Sequence, residues 1–305
     1  MLYSYGGKGE QKEGYHMSQS SLPSLRIIFF SNQLPAVVNA VIEGLQALGQ
    51  QVPLLVTTAG PRRRPNQNYH QIVAHAPHDL DVLVTNHIDR LPTLLRSLEP
   101  DVIFTAGFPW RLPPALLELP RLGCINAHPA LLPKYRGPDP LFWQLMNGEK
   151  QTGLTIHRMD ADFDTGPILV QRAVDIAEDD DIDSIFAKLL PLGMPMLPLA
   201  LASVARGDPG IPQPAEGSYA PIPTEADRHL DWNRSATELR NQVRAWGSMG
   251  AFAEISGKPF LVRRARVVSP PLAGQPGVLL DNSEGGLLVQ TGHDALLIQD
   301  FEEVV

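Results

Sequence analysis

Five short apolar runs recur through the first half of the chain: LRIIFFS (25–31), QVPLLVT (51–57), DVLVT (81–85), DVIFTA (101–106) and CINAH (124–128). Each has the length and apolar density of a strand buried on both faces, where strict alternation is lost. PAVVNAVIEGLQAL (35–48), IDRLPTLLRSL (88–98) and PPALLEL (113–119) lie between them with helical patterning, although Pro92 weakens the second. Strand and helix repeated in this order predict an α/β fold, a mostly parallel sheet with helices on both faces. Sites in such sheets form beyond the carboxyl ends of the strands.

Two further strands, TGLTIHRM (152–159) and PILVQRAVDI (167–176), precede a long helix over about 181–206. GDPGIPQPAEGSYAPIP (207–223) reads as a linker because Pro and Gly punctuate it throughout. Beyond it, SATELRNQVRAW opens with Ser235 and carries Glu238 three residues later, the pattern of a capping box. The remaining runs, AFAEIS, FLVRRARVV, GVLLD, GLLVQT and ALLIQ, are short and separated by Gly, which predicts a small β-barrel-like, OB-like unit. The expected division is a flexible extension over 1–24, with Met17 as an alternative start, a Rossmann-like domain over 25–206, the linker over 207–223 and a β-rich domain over 224–305.

A net charge of -8 and a pI near 5.6 exclude a general electrostatic attraction to nucleic acid or anionic lipid, so RNA would need a local patch. The single cysteine, Cys124, excludes an internal disulfide and a Cys-rich zinc site, and fits a reducing cytoplasm. The polar, Gly-rich start lacks the apolar core of a secretory signal. No apolar run is expected to reach the length needed to cross a bilayer, and no membrane partner is expected. His70, His75 and His78 cluster without a Cys or an HExxH pair, so no metal is expected there.

CINAHPALLPKYRG (124–137) ends a strand with Asn126 and His128 two residues apart, hence on one face, and then breaks at Pro129. MDADFDTGP (159–167) places Asp160, Asp162 and Asp164 on a loop after another strand, without the Gly and Glu positions of a calcium loop. An amide, an imidazole and a carboxylate with no Ser or Cys nucleophile suit attack by an external nucleophile on a carbonyl. The residues alone leave a second account open, in which Asn126 and His128 satisfy loop backbone groups at a strand end.

The stretch from Cys124 through Leu169, with Asn-x-His, Leu-Leu-Pro followed by a basic Arg-Gly loop, and Asp-Thr-Gly after a further strand, closely resembles the signature of the 10-formyltetrahydrofolate-dependent formyltransferase family. The resemblance covers most of 25–206 and extends into 219–246. It implies that Asn126 polarises the formyl oxygen, that His128 as the imidazolium stabilises the tetrahedral intermediate, and that Asp164 holds that charge and helps move the amine proton. It also implies a pterin pocket between the 107–113 loop, with Phe108, Trp110 and Leu112, and the Asp loop, with Asp160, Asp162 and Phe163. Trp110 and Arg111 depart from the pattern. Lys134 and Arg136 flank the site as candidates for an anionic acceptor or the folate tail.

The donor is better specified than the acceptor. From Glu216 onward eight bases face twelve acids, a net of -4, which counts against tRNA despite the Arg263, Arg264 and Arg266 cluster. Arg62, Arg63 and Arg64 occupy the place of a longer basic loop in tRNA-formylating relatives. The expected acceptor is therefore an amine on a small molecule or carrier, with methionyl-tRNA formylation and 10-formyltetrahydrofolate hydrolysis as alternatives. A homodimer is left open, as is whether the β-rich domain meets the acceptor or another subunit. His157 is expected to be structural, and Cys124 a buried core thiol.

Overall fold

The computed structural model describes residues 22–60, 68–269, 274–283 and 285–304. The N-terminal extension up to residue 21 and Arg62, Arg63 and Arg64 lie outside the described residues.

The first unit runs β1 (Arg26–Ser31), α1 (Pro35–Ala47), β2 (Gln51–Thr57), α2 (Asn68–His75), β3 (Asp81–Val84), α3 (Leu91–Leu95), β4 (Val102–Ala106), α4 (Pro114–Leu117), β5 (Cys124–His128), α5 (Pro140–Met146), β6 (Gln151–Arg158), β7 (Ile168–Asp175) and α6 (Ile182–Ala205). Its seven strands form one sheet in the order β3-β2-β1-β4-β5-β6-β7. The first five in that order pair in parallel, and β6 and β7 add antiparallel. The chain moves outward from β1 to β3 and returns at β4, so the switch in direction lies between β1 and β4, where α/β sheets open a crevice.

Successive residues on each strand supply opposite faces. Ile27 and Phe29 of β1, Phe104 of β4, Ile125 of β5 and Ile156 of β6 pack with α1 and α6 on one face. Ile28, Phe30, Ile103 and Cys124 pack with α3 and α4 on the other. Phe29 and Phe30 are both fully buried, each contributing about 1.5–3 kcal/mol by leaving water. Pro92 has the expected effect: 88–98 is not one helix but a short α-helical piece, with Pro92 in its first turn, between two 3-10 turns.

α6 corrects one expectation. It is a single 24-residue helix, long and apolar enough by composition to cross a membrane, even with Pro191, Pro195 and Pro198 inside it. Its apolar character follows from packing: Met196, Leu197, Ala200 and Val204 meet the sheet, while Ile185 and Leu189 meet Leu141, Phe142 and Ala245.

The second unit contains α7 (Ala236–Trp246), β8 (Ala251–Ile255), β9 (Lys258–Val268), β10 (Leu279–Ser283), β11 (Gly286–Gln290) and β12 (Ala295–Glu303). Its strands form an antiparallel sheet in the order β10-β11-β12-β9-β8. Leu239 and Val243 of α7 pack on this sheet through Val262, Val289 and Leu296. The capping box is present: Ser235 Oγ accepts from Glu238 N at 3.3 Å, and Glu238 Oε2 accepts from Ser235 N at 3.0 Å.

Candidate active site

Asn126 and His128 sit at the carboxyl end of β5, on the face shared with Cys124. Across the ladder Asn126 lies opposite Thr105 of β4 and His157 of β6. Thr105 Oγ1 donates to Asn126 Oδ1 at 2.6 Å, which turns the Asn126 amide nitrogen toward Asp164. That nitrogen is 3.1 Å from Asp164 Oδ1 and 3.2 Å from His157 Nε2. His128 Nε2 lies 2.8 Å from the Tyr135 carbonyl, and its Nδ1 lies 3.5 Å from Asp164 Oδ2. The three residues singled out from sequence are therefore one cluster.

Asp164 reaches the cluster from the loop after β6 with φ +55, the left-handed region that a side chain rarely adopts. Gly137 N donates to its Oδ2 at 2.8 Å. Burial works against its ionisation, yet the neighbouring His128, the hydrogen bond and charge of His157 and the Gly137 N–H outweigh it and hold the carboxyl at about 2. His128 moves the other way. Burial lowers its pKa, with His157 adding to the effect, while Asp164 and the Tyr135 carbonyl oppose it. The expected preference for the charged imidazole is thus reduced in the resting site: His128 holds a proton reluctantly, and the ionised Asp164 beside it favours the imidazolium when that charge forms.

A cavity of about 850 Å³ wraps around the strand ends from one face of the sheet to the other. On the α3 and α4 face it is lined by Phe108, Trp110, Leu112, Asp160, Asp162 and Phe163, all six of the residues placed there from sequence. Trp110 is anchored by donating from Nε1 to Thr58 Oγ1 at 3.1 Å. Arg111 bridges the two loops by bonding to the Ala161 carbonyl and to Asp162 Oδ1, the latter at 2.8 Å. Asp160 shapes its own loop, accepting from Asp162 N and Thr165 Oγ1. Among the described residues no group of three or more His, Cys, Asp or Glu is placed to hold a metal ion.

Ala106 and Ala127, paired across β4 and β5, line the cavity at the strand ends. On the α1 and α6 side its wall is Val37, Val41, Phe186, Leu189, Leu190 and Met194, with Asn32, Gln33 and Asn68 at the β1 end. Lys134 lines neither this cavity nor the smaller one beside it; it is exposed and lies 3.5 Å from Glu149. Arg136 lines the smaller cavity, of about 320 Å³, with Phe163 and Tyr219.

The sequence analysis read His157 as structural and did not single out Thr105, which bonds to Asn126, or Gln213, whose Nε2 donates to the Asp164 carbonyl. His157 is 1% exposed, its Nδ1 lies 2.7 Å from the Arg158 carbonyl, and its Nε2 lies 3.3 Å from Asp164 Oδ1. Its strand parity was the available signal, because a residue opposite Asn126 on an adjacent strand points to the same face.

Residues 25–201 match the model of the formyl transferase family, and residues 223–303 match that of the formyl transferase C-terminal domain. The chain belongs to this family. It is a 10-formyltetrahydrofolate-dependent formyltransferase. It is 33% identical over 286 residues to a methionyl-tRNA formyltransferase of Pelotomaculum thermopropionicum, covering 91% of each chain. It is 34% identical over 291 residues to a methionyl-tRNA formyltransferase of Citrifermentans bemidjiense, covering 92% of this chain and 90% of that one. HypX from Aquifex aeolicus, solved in complex with tetrahydrofolic acid, shares the fold at a TM-score of 0.63 and 22% identity, over 92% of this chain and 44% of the Aquifex chain.

Proposed function

We propose that the formyltransferase acts on methionyl-tRNA, with Asn126, His128 and Asp164 as its catalytic residues. The observation that carries the acceptor is the α1 and α6 side of the cavity. Away from the amides of Asn32, Gln33 and Asn68 at the β1 end, that wall is Val37, Val41, Phe186, Leu189, Leu190 and Met194, a stretch without hydrogen-bonding side chains that favours an apolar group over sugar hydroxyls, whose burial without hydrogen bonds is costly. An unbranched thioether side chain fits such a wall, and burying it contributes about 1.5–3 kcal/mol. The two-domain relatives over nine-tenths of the chain carry the same acceptor in their names. This reading displaces the small-molecule amine expected from the -4 balance of the C-terminal region, because a net charge averages over a surface. Arg264 and Arg266 stand exposed on β9, with Asp300 opposite Arg264 on β12, and are the candidates for contact with tRNA phosphate.

The pterin of 10-formyltetrahydrofolate occupies the Phe108, Trp110 and Leu112 side, which brings its formyl group to the strand ends. Asn126 donates to the formyl oxygen as charge develops on it. His128 accepts the proton of the attacking amine, and the imidazolium so formed is held beside Asp164. Collapse expels tetrahydrofolate, whose nitrogen recovers the proton from His128. Arg136 is the candidate for an anionic group of either substrate. A reducing cytoplasm suits the one free thiol and both substrates.

The test measures tetrahydrofolate release from 10-formyltetrahydrofolate with methionyl-tRNA, nucleotide-linked amino sugars, hydroxyornithine or no acceptor. Release that requires methionyl-tRNA supports the proposal. Release with an amino sugar alone, or equally without any amine, rejects it in favour of a sugar-amine transferase or a hydrolase.

A further inference from the structure

The stretch expected to be a plain linker forms part of the site wall. Ile211 exchanges two backbone hydrogen bonds with Ile168, each of 2.8 Å. Farther along, Arg136 N donates to Ser218 O at 2.9 Å, Ala220 N donates to Arg136 O at 2.6 Å, and Tyr135 N donates to Ser218 Oγ at 2.8 Å. The segment is fixed on both sides of Gln213, which stands between Pro212 and Pro214, residues that restrict its backbone further.

Gln213 spends its whole amide between two loops. Its Nε2 donates to Asp164 O at 2.9 Å and to Gly166 O at 2.7 Å. Its Oε1 accepts from Arg136 Nε at 3.1 Å and from Arg136 Nη2 at 2.9 Å. Two donors and two lone pairs are all that a primary amide has. The turn it grips needs holding: Asp164 is left-handed, and a Cβ on Gly166 would lie 2.0 Å from the Arg158 carbonyl oxygen. The Asp164 carboxylate meets Gly137 N, so Gln213 to Arg136 and Asp164 to Gly137 are two struts between the same pair of loops.

We propose that Gln213 is a positioning residue for formyl transfer, fixing the turn that aims the Asp164 carboxylate at Asn126 and His128. The inference rests on the assignment of Asp164 to catalysis and is independent of which amine is the acceptor. Its consequence is that the segment joining the two domains belongs to the catalytic machinery.

Two variants separate this role from simple anchoring of Arg136. Gln213→Glu keeps an oxygen for Arg136 but turns a second oxygen toward two carbonyls. Gln213→Met keeps the length and loses all four hydrogen bonds. Kinetics use whichever acceptor the parent enzyme formylates, or water if it formylates none, and each variant is measured where its near-ultraviolet circular dichroism matches the parent. The His128 titration is followed by NMR of histidine-labelled enzyme without substrates. Both variants are expected to lower kcat by about tenfold or more with KM for 10-formyltetrahydrofolate within roughly threefold, since small misplacement of a reacting group is costly. Both are also expected to move the His128 midpoint to lower pH, because Asp164 raises it. Parental kcat in Gln213→Glu overturns the proposal, since anchoring Arg136 is then sufficient. An unmoved His128 midpoint also overturns it, because Gln213 then does not act through Asp164. The titration needs no acceptor, so failure of the methionyl-tRNA reading appears only in the parent enzyme's choice of substrate.

Discussion

His157 Nε2 stands 3.3 Å from Asp164 Oδ1, so the carboxylate of the cluster lies within ion-pair range of two buried imidazoles, through a different oxygen for each. Each ring constrains one side of the carboxylate, and Asn126 is held by the same oxygen that faces His157. His157→Phe keeps a ring in the space and removes both contacts. The loss of a hydrogen bond to a charged group, about 1.5–3 kcal/mol, predicts a kcat lower by about 10- to 100-fold with donor KM nearly unchanged. Single-turnover formyl transfer measures it, and a parental rate would show that His157 only fills space.

Asp164 also makes stability depend on acid. Its folded value of about 2 lies below the ordinary 3.8, so the stabilisation is present above pH 3.8 and is lost as pH falls toward 2. The shift corresponds to about 2 kcal/mol. Denaturant unfolding of the parent and Asp164→Asn between pH 5 and 2 should give curves whose separation narrows by about that amount. A constant separation would show that the carboxylate is not held in its charged form.

The sheet was legible because each strand of its core is a dense apolar run and each helix carries a stripe. Asn126, His128 and Asp164 were legible for a different reason: their residue types and spacing match a family signature. His157 was read as structural, and its place beside Asn126 was not legible because it arises from register between β5 and β6. Gln213 was hidden more deeply. It lies in a stretch whose Pro and Gly content reads as a connector, and only tertiary contact with Asp164 and Arg136 gives it a function. The long helix over about 181–206 was legible although three prolines ordinarily end a helix, and packing on two sides retains it as α6.

His128 is expected to titrate below the ordinary 6.5, because burial lowers its pKa more than Asp164 raises it. As pH falls past 6.5 the unfolded chain takes up this proton first, so the neutral histidine's contribution to stability is present above that pH and is lost below it. The acid limb of kcat/KM should accordingly have its midpoint below 6.5, and the His128 resonance in Asp164→Asn should titrate lower still. A midpoint above 6.5 in the parent would mean that the carboxylate outweighs burial and that the resting ring is charged.

The apolar wall of the acceptor side makes the remaining prediction. Val41 of α1 and Leu190 of α6 line the chamber proposed for the methionine side chain, away from the loops assigned to the pterin. Val41→Phe extends a ring into that chamber, and overpacking of this kind costs about 1–3 kcal/mol. If a methionyl group binds there, kcat/KM for methionyl-tRNA falls by about 5- to 100-fold while the affinity for the folate donor stays within about twofold. The complementary substrate is a tRNA carrying a smaller amino acid: with Val41→Phe its disadvantage relative to methionyl-tRNA shrinks, because the pocket no longer rewards the longer side chain. Equal losses for donor and acceptor would place the ring in the donor path instead, and the division of the cavity between the two faces of the sheet would have to be abandoned.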